Sequence, residues 1–407
     1  MGKRKIAVFT GNRAEYGLQF PILKAISNHP DLEYQLIVSG AHLDEDFGQT
    51  LDEIKTDGFR IAAEVKIHMD SDFALATPQA IGSGIVSISQ ALANLKPDLM
   101  IVYADRFEGF AAVVASTQMS IPTAHIEGGD ITEGGALDDS VRHAMTKLSH
   151  LHFTTNDEAS RRIIAMGEES WRVHTVGFPA IDLISDGRFA KPIEISKQLG
   201  LDLSQPIVLF TQHSVTTEAG DAASQIRSCL DALLRLANDG VQVIATYPNN
   251  DAGGRAIIAE LEKVASLKPK NFQLHKSLGR YLYHGILALS RNPDHRIACL
   301  GNSSSGIKET PIFGTPTVNI GSRQLGRLRG SNVKDANYSG TEIYEFARIC
   351  LFDDIWRAEC AKTDNPYWKG GAGSRIANVL STVELNQSLL RKRMTIDGSG
   401  AVRPVQG

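Results

Sequence analysis

Ile297-Ala298-Cys299-Leu300-Gly301-Asn302-Ser303-Ser304-Ser305-Gly306-Ile307-Lys308-Glu309 is the stretch on which the reading of the fold turns. Residues 297–300 form an apolar run of strand length, and the six residues after it are small or polar. From about Ile307 the sequence suits a helix, so the whole reads as one strand–turn–helix unit. Small residues in such a turn let the backbone approach a ligand. The start of the helix offers free N–H groups and partial positive charge, and serine hydroxyls add donors, a combination suited to a diphosphate. Asn302, Ser303, Ser304, Ser305 and Gly306 are therefore candidate phosphate contacts, although the same residues also make ordinary helix caps. Glu309, about one turn inside the helix, is placed to accept hydrogen bonds from ribose hydroxyls.

Outward from this unit the same alternation recurs. Strands are expected at 5–10, 34–39, 99–103, 123–126, 152–155 and 174–176, then at 207–211, 242–246, 272–275, 297–300 and 317–320. Amphipathic stretches such as 18–28 and 82–95 lie between them, the pattern of parallel sheets covered by helices. A length of 407 residues accommodates two α/β domains with separate cores. The break is expected after Gly177-Phe178-Pro179, in the polar stretch near 185–200. This gives a first domain over 1–190 and a second over 191–370, and the weakly patterned tail from 396 to 407 is expected to be disordered.

Composition excludes several functions. A formal net charge of -4 with 22% charged residues gives no global field for nucleic acid or an anionic membrane. No stretch approaches the roughly 18 apolar residues of a spanning helix. The apolar run 6–9 behind the basic N-terminus is too short for a signal peptide. A cytoplasmic protein is expected. Cys229, Cys299, Cys350 and Cys360 lack metal-binding spacing and read as structural thiols. The turn Thr10-Gly11-Asn12-Arg13-Ala14-Glu15 is not a GxGxxG fingerprint, and no GxxxxGK[ST] occurs, so a dinucleotide oxidoreductase and a P-loop NTPase are both disfavoured.

Ionisable residues gather at the expected C-terminal ends of strands, where open α/β sheets bind ligands. They fall in Tyr103-Ala104-Asp105-Arg106, in His125-Ile126-Glu127-Gly128-Gly129-Asp130, in Asp138-Asp139-Ser140-Val141-Arg142-His143 and in Gln212-His213. Such groups suit acid–base chemistry. A cation held by His125, Glu127 and Asp130 is the rival reading, weakened by glycines that break the strand's regular alternation. Asp138 and Asp139 also fit as acids at a helix start. His152, His174 and His284 have no comparable context and read as structural.

Taken together and in order, these segments resemble the UDP-N-acetylglucosamine 2-epimerases, specifically the hydrolysing branch. The resemblance runs from about residue 5 to 379. Beyond the segments already quoted it rests on Ala104-Asp105-Arg106-Phe107-Glu108, Gly314-Thr315-Pro316, Asn319-Ile320-Gly321-Ser322-Arg323-Gln324 and Asn365-Pro366-Tyr367. It implies a GT-B-like α/β fold: two Rossmann-like domains with parallel sheets, the active site in the cleft, and a C-terminal helix within 371–395 crossing back to the first domain. By the same resemblance Arg13 contacts the uracil. Ser303, Ser304 and nearby amides hold the diphosphate, Glu309 holds the ribose, and Arg323 lies near the phosphates. Asp105, Glu127 and Asp138 are implied as the catalytic carboxylates, with Arg106, His125, Arg142 and His213 on the sugar side and His213 also counted as catalytic. The implied reaction converts UDP-GlcNAc and water to N-acetylmannosamine and UDP, with no cofactor and no metal, in a homodimer or homotetramer.

Two departures bear on the sugar. Gln212-His213-Ser214-Val215-Thr216-Thr217-Glu218 stands where many relatives carry His-Pro, and the loop 130–137 is longer than in the sialic-acid enzymes. UDP-2,4-diacetamido-2,4,6-trideoxyhexoses are therefore alternative substrates. A non-hydrolysing epimerase, a GT-B glycosyltransferase and a nucleotide-sugar sensor are the remaining readings.

Overall fold

The computed structural model describes residues 2–43, 51–67, 75–131, 137–249 and 253–396. It divides into two compact units. One comprises the chain up to Leu183 together with its return from Tyr367 onward, and the other is built on Ile184–Pro366.

The first unit holds a seven-stranded parallel sheet of β1 (Arg4–Thr10), β2 (Leu32–Ser39), β3 (Ile61–Val65), β4 (Leu99–Tyr103), β5 (Thr123–Ile126), β6 (Leu151–Thr154) and β7 (Val173–Thr175), in the order β3-β2-β1-β4-β5-β6-β7. The inner strands are continuous apolar runs because helices cover both faces, and β4 is buried at every position. One face packs Ile6, Val8, Leu36, Ile101 and Phe153, and the other packs Ala7, Phe9, Ile37, Met100 and Val102. The C-terminal helix Ala372–Thr382 lies against the helix Arg13–Asn28 and adds Ile376, Ala377 and Leu380 to the first of these cores. Beyond it, the buried Arg172 donates to the carbonyls of Ser388 and Leu389, both at 2.7 Å.

The second unit holds a six-stranded parallel sheet of β8 (Ile207–Thr211), β9 (Gln242–Thr246), β10 (Phe272–His275), β11 (Ile297–Gly301), β12 (Thr317–Ile320) and β13 (Val333–Ala336), in the order β10-β9-β8-β11-β12-β13. Both units are thus Rossmann-like α/β sheets, as expected.

Two strands were not expected from the sequence, β3 and β13, and both are sheet edges. An edge strand is only half covered, so Ile61–Val65 alternates between partly buried and exposed positions, and Val333–Ala336 buries only Ala336. Neither carries the apolar run that marks an inner strand. The helix expected at 18–28 begins at Arg13, because the Asn12 side chain accepts from the Glu15 amide and caps it.

The strand order reverses between β1 and β4 in one sheet and between β8 and β11 in the other. Chains leaving the C-terminal ends of such a pair diverge to opposite faces and open a crevice there. The expected site segments follow these four strands and β5. Among the described residues no helix is long and apolar enough to cross a membrane. All four cysteines are free and buried.

Candidate functional site

In the first unit the site is organised by Arg142. The helix Leu137–Leu148 presents Asp139, Arg142 and Thr146 at spacings of three and four residues, hence along one face. Arg142 is only 2% exposed. Its guanidinium pairs with Asp105, donates to Asp139 Oδ1 at 2.5 Å and to the Asp130 carbonyl at 2.9 Å. Burial alone lowers the affinity of a guanidinium for its proton. Here the charges of Asp105, Asp130, Asp139 and Glu127 outweigh burial, and the pKa is raised. Arg142 therefore holds the carboxylates in place. Of the two acids at the helix start, Asp139 reaches Arg142, while Asp138 is exposed.

His125, on β5, is fully buried. Its Nε2 lies 2.6 Å from the Ala104 carbonyl and its Nδ1 lies 3.1 Å from Thr146 Oγ1. A carbonyl can only accept, so Nε2 carries the hydrogen and the Thr146 hydroxyl donates to Nδ1. Burial depresses the imidazole pKa to about 3, which keeps it neutral. Both nitrogens are occupied inside the protein. His125 thus fastens the end of β4 to the helix of Arg142, and with both nitrogens engaged it is not free to ligate a cation with Glu127 and Asp130.

Ala104 and Glu127, the first residues beyond β4 and β5, both adopt left-handed backbone, with φ of 56° and 66°. For residues with a Cβ this costs about 1–2 kcal/mol each. The neighbouring structure holds both in place: Ala104 N donates to Ile126 O at 3.0 Å, and Glu127 N donates to Phe153 O at 2.9 Å. These turns set where Asp105 and the Glu127 carboxylate sit, a place where backbone strain commonly collects. Arg106 is part-exposed, with its Nε 3.5 Å from Glu108 Oε2.

Sequence reasoning did not single out Glu108 or Glu15, both buried beside the same strand ends. Glu15 Oε2 accepts from the Gly11 amide at 2.6 Å. Burial, reinforced by the Glu108 charge, raises the Glu15 pKa to about 8. The only signal for Glu15 was its place three residues after the capping Asn12. The side chain of Arg13, the expected uracil contact, lies outside the described residues, as do residues 132–136 of the long loop and 397–407 of the tail.

In the second unit Asn302 is fully buried, and it clamps the backbone of His213 from both sides. Its Oδ1 accepts from His213 N at 2.7 Å and its Nδ2 donates to His213 O at 2.9 Å. His213 Nδ1 accepts from the Asn249 amide at 3.0 Å, so Nε2 carries the hydrogen. Burial, helped by the Arg323 charge, lowers the His213 pKa to about 3. The ring is therefore a neutral donor. Arg323 Nη1 donates to the Asn302 carbonyl at 3.2 Å.

The helix expected from near Ile307 is two short pieces, Ser305–Lys308 and Thr310–Phe313, with Glu309 at the junction. So short a helix contributes little dipole, and the donors that remain are the serine hydroxyls and loop amides. Ser303, Ser304 and Ser305 are part-exposed, as a ligand loop requires. Gly306 is buried behind them, where a Cβ would make only ordinary contact with Thr317. The residue that must be glycine is Gly301, whose φ is 119° and whose Cβ would collide with Thr211. Glu309 is buried, and its Oε2 lies 2.9 Å from His284 Nε2. His284, read from sequence as structural, therefore belongs to the surroundings of this loop.

Comparison with known proteins places the chain in a family. The sequence model of the family described as UDP-N-acetylglucosamine 2-epimerase matches residues 24–381. A Campylobacter jejuni protein named GDP/UDP-N,N'-diacetylbacillosamine 2-epimerase (hydrolyzing) is 34% identical, over 83% of this chain and 85% of its own. A Legionella pneumophila UDP-N,N'-diacetylbacillosamine 2-epimerase (hydrolyzing) is 32% identical over 96% and 98%. A Neisseria meningitidis serogroup B UDP-N-acetylglucosamine 2-epimerase is 32% identical over 84% and 86%. Among solved structures, the Neisseria meningitidis UDP-GlcNAc 2-epimerase bound to UDP-GlcNAc superposes with a TM-score of 0.76 at 19% identity, covering 93% of this chain and 99% of that one. This likeness shows the shared fold.

Proposed function

The chain belongs to the UDP-N-acetylglucosamine 2-epimerase family, and on that premise we propose that it is a hydrolysing 2-epimerase of a UDP-linked 2-acetamido sugar. The observation that carries the proposal is the set of carboxylates, Asp105, Glu127, Asp130 and Asp139, gathered around one buried guanidinium.

The chemistry explains why such a set is useful. The C2 hydrogen of the sugar is too weakly acidic for direct removal by a carboxylate. Departure of UDP from C1 develops positive charge there and acidifies C2–H. One carboxylate then takes the proton, giving the 1,2-unsaturated sugar and UDP. Water adds to C1, and a proton returns to C2 from the opposite face, releasing the free 2-epimer. Removal on one face and return on the other call for two acid–base groups. Asp105 and Glu127, leaving adjacent strands, fit those two roles, with Asp138 and Asp139 nearby on the following helix. His213, as a neutral Nε2–H donor, suits a hydrogen bond to an oxygen of the leaving diphosphate and does not suit a role as base. The Ser303–Ser305 loop and Arg323 supply the remaining donors for that charge, and Glu309 accepts from the ribose. No hydride carrier takes part, since elimination erases the stereocentre.

UDP-GlcNAc is the first substrate to test. The hydrolysing relatives at 34% and 32% identity are named for UDP-N,N'-diacetylbacillosamine, and this favours that sugar as the second reading. Proton NMR of the products from each substrate decides both questions. The proposal requires a free 2-epimer with equimolar UDP. A UDP-linked epimer would make the enzyme non-hydrolysing, and no turnover of either sugar would overturn the proposal.

A further inference from the structure

Two consecutive residues on the helix Gly279–Ala288 each reach the loop assigned to the nucleotide. Tyr283 Oη lies 2.6 Å from Ser305 Oγ, and His284 Nε2 lies 2.9 Å from Glu309 Oε2. The helix comes close enough because Gly285 faces Ala190, where a Cβ would stand 2.8 Å from the carbonyl oxygen.

On the His284 branch the hydrogen-bond direction follows from the chemistry. Glu309 as a carboxylate only accepts, so His284 Nε2 carries the hydrogen and donates. Its Nδ1 is buried and has no hydrogen-bond partner among the described residues, as expected for the bare nitrogen of that tautomer. The ring is further fixed against Phe313, at 6.1 Å between centroids. On the other branch, Ser303 Oγ lies 3.0 Å from Ser305 Oγ and also accepts from Ser305 N at 3.4 Å. Tyr283 Oη also lies 3.8 Å from Cys299 Sγ; the hydroxyl order that would serve a ligand runs from Tyr283 to Ser305 to Ser303, and it fills both acceptor positions of Ser303. In that order the Ser303 hydrogen is left for a ligand. Such a relay presents a donor to whatever binds, and each link polarises the next.

We propose that Tyr283 and His284 are positioning residues for the two halves of a nucleoside diphosphate: Tyr283 aligns the Ser305–Ser303 relay toward the phosphates, and His284 holds Glu309 toward the ribose hydroxyls. This rests on the nucleotide reading of the loop given above. It separates phosphate recognition from ribose recognition between neighbouring residues, and a merely structural helix would not do that.

Calorimetric titration of the full chain with UDP, 2',3'-dideoxy-UDP and uridine tests it. The wild type is expected to prefer UDP to the dideoxy compound by about tenfold or more, as for hydrogen bonds to a charged group. His284→Asn moves the amide nitrogen to the Nδ1 side and should bring that preference close to one. His284→Gln places its amide nitrogen near Nε2 and should restore it. Tyr283→Phe should weaken UDP several-fold relative to uridine while leaving the dideoxy preference intact. If the wild type binds no UDP, the nucleotide reading fails and this inference with it. If it binds UDP but the variants weaken all three ligands equally, or change none, the nucleotide reading stands and the positioning roles are overturned.

Discussion

Asp105 and Arg142 form an ion pair in which the guanidinium is 2% exposed and the carboxylate 20% exposed. The cation is structural and the anion faces outward, so each should respond differently to substitution.

Removing Arg142 strands carboxylates beside an empty buried site. Arg142→Ala should cost about 3–5 kcal/mol of stability, the usual penalty for breaking a buried pair from one side. Arg142→Lys keeps the charge but cannot span Asp105, Asp139 and the Asp130 carbonyl at once, so it should retain much of the stability and lose most of the activity. Thermal melts alongside product assays measure both. Equal stability for Ala and wild type would remove Arg142 from its central place.

Asp105→Asn and Glu127→Gln preserve size while removing the ionisable group. Each should lower kcat by about 10²- to 10⁴-fold, the range of general acid–base contributions, with UDP affinity within a few-fold of wild type. Asp139→Asn weakens the contact that orients Arg142 and should lower activity as well. Near-normal kcat in the Asp105 or Glu127 variant would remove that residue from the chemistry.

Isotopes test the route. In D2O the released sugar should carry deuterium at C2, because that proton is lost and regained. In 18O-water the label should enter the C1 hydroxyl and not the UDP. Protium retained at C2 would exclude elimination, and labelled UDP would indicate P–O cleavage.

Chelation should leave turnover unchanged, because the Arg142 guanidinium already pairs with Asp105 and Asp139 and both His125 nitrogens are engaged. Activity lost in excess EDTA and regained with a divalent cation would reverse this.

Acid should destabilise the fold before it protonates most carboxylates. His125 and His152 are buried, and burial lowers their pKa values from 6.5 to about 3 and about 4. Below pH 6.5 the unfolded chain binds protons that the folded chain refuses, so stability falls as pH drops from 6.5 toward 4. Melting temperatures should be flat from pH 8 to 7 with respect to these groups and decline clearly by pH 5. A Tm that rises on acidification through this window would contradict the buried neutral histidines.

Much of this was legible in the sequence because it depends on local pattern. The apolar runs of β1, β4, β8 and β11 and the polar turns after them fix two parallel sheets with ligand segments at their C-terminal ends. The acids Asp105, Glu127, Asp138 and Glu309 and the serines 303–305 stand out because residue type and position at a strand end coincide. The edge strands β3 and β13 did not, since half-covered strands need no apolar run.

What only the tertiary structure decided is which of these side chains hold one another. His125, Arg142 and Asn302 look from sequence like binding groups, yet each spends its hydrogen bonds on protein partners that lie 21, 37 and 89 residues away. His284 and Tyr283 show the reverse: no motif marks them, but they reach Glu309 and Ser305 across 25 and 22 residues. The sequence by itself determined the strand ends and the chemical types gathered there, because hydrophobic period and turn residues act over a few positions. The division of labour among those types came from packing, because a buried polar group must find its partner wherever the fold brings one.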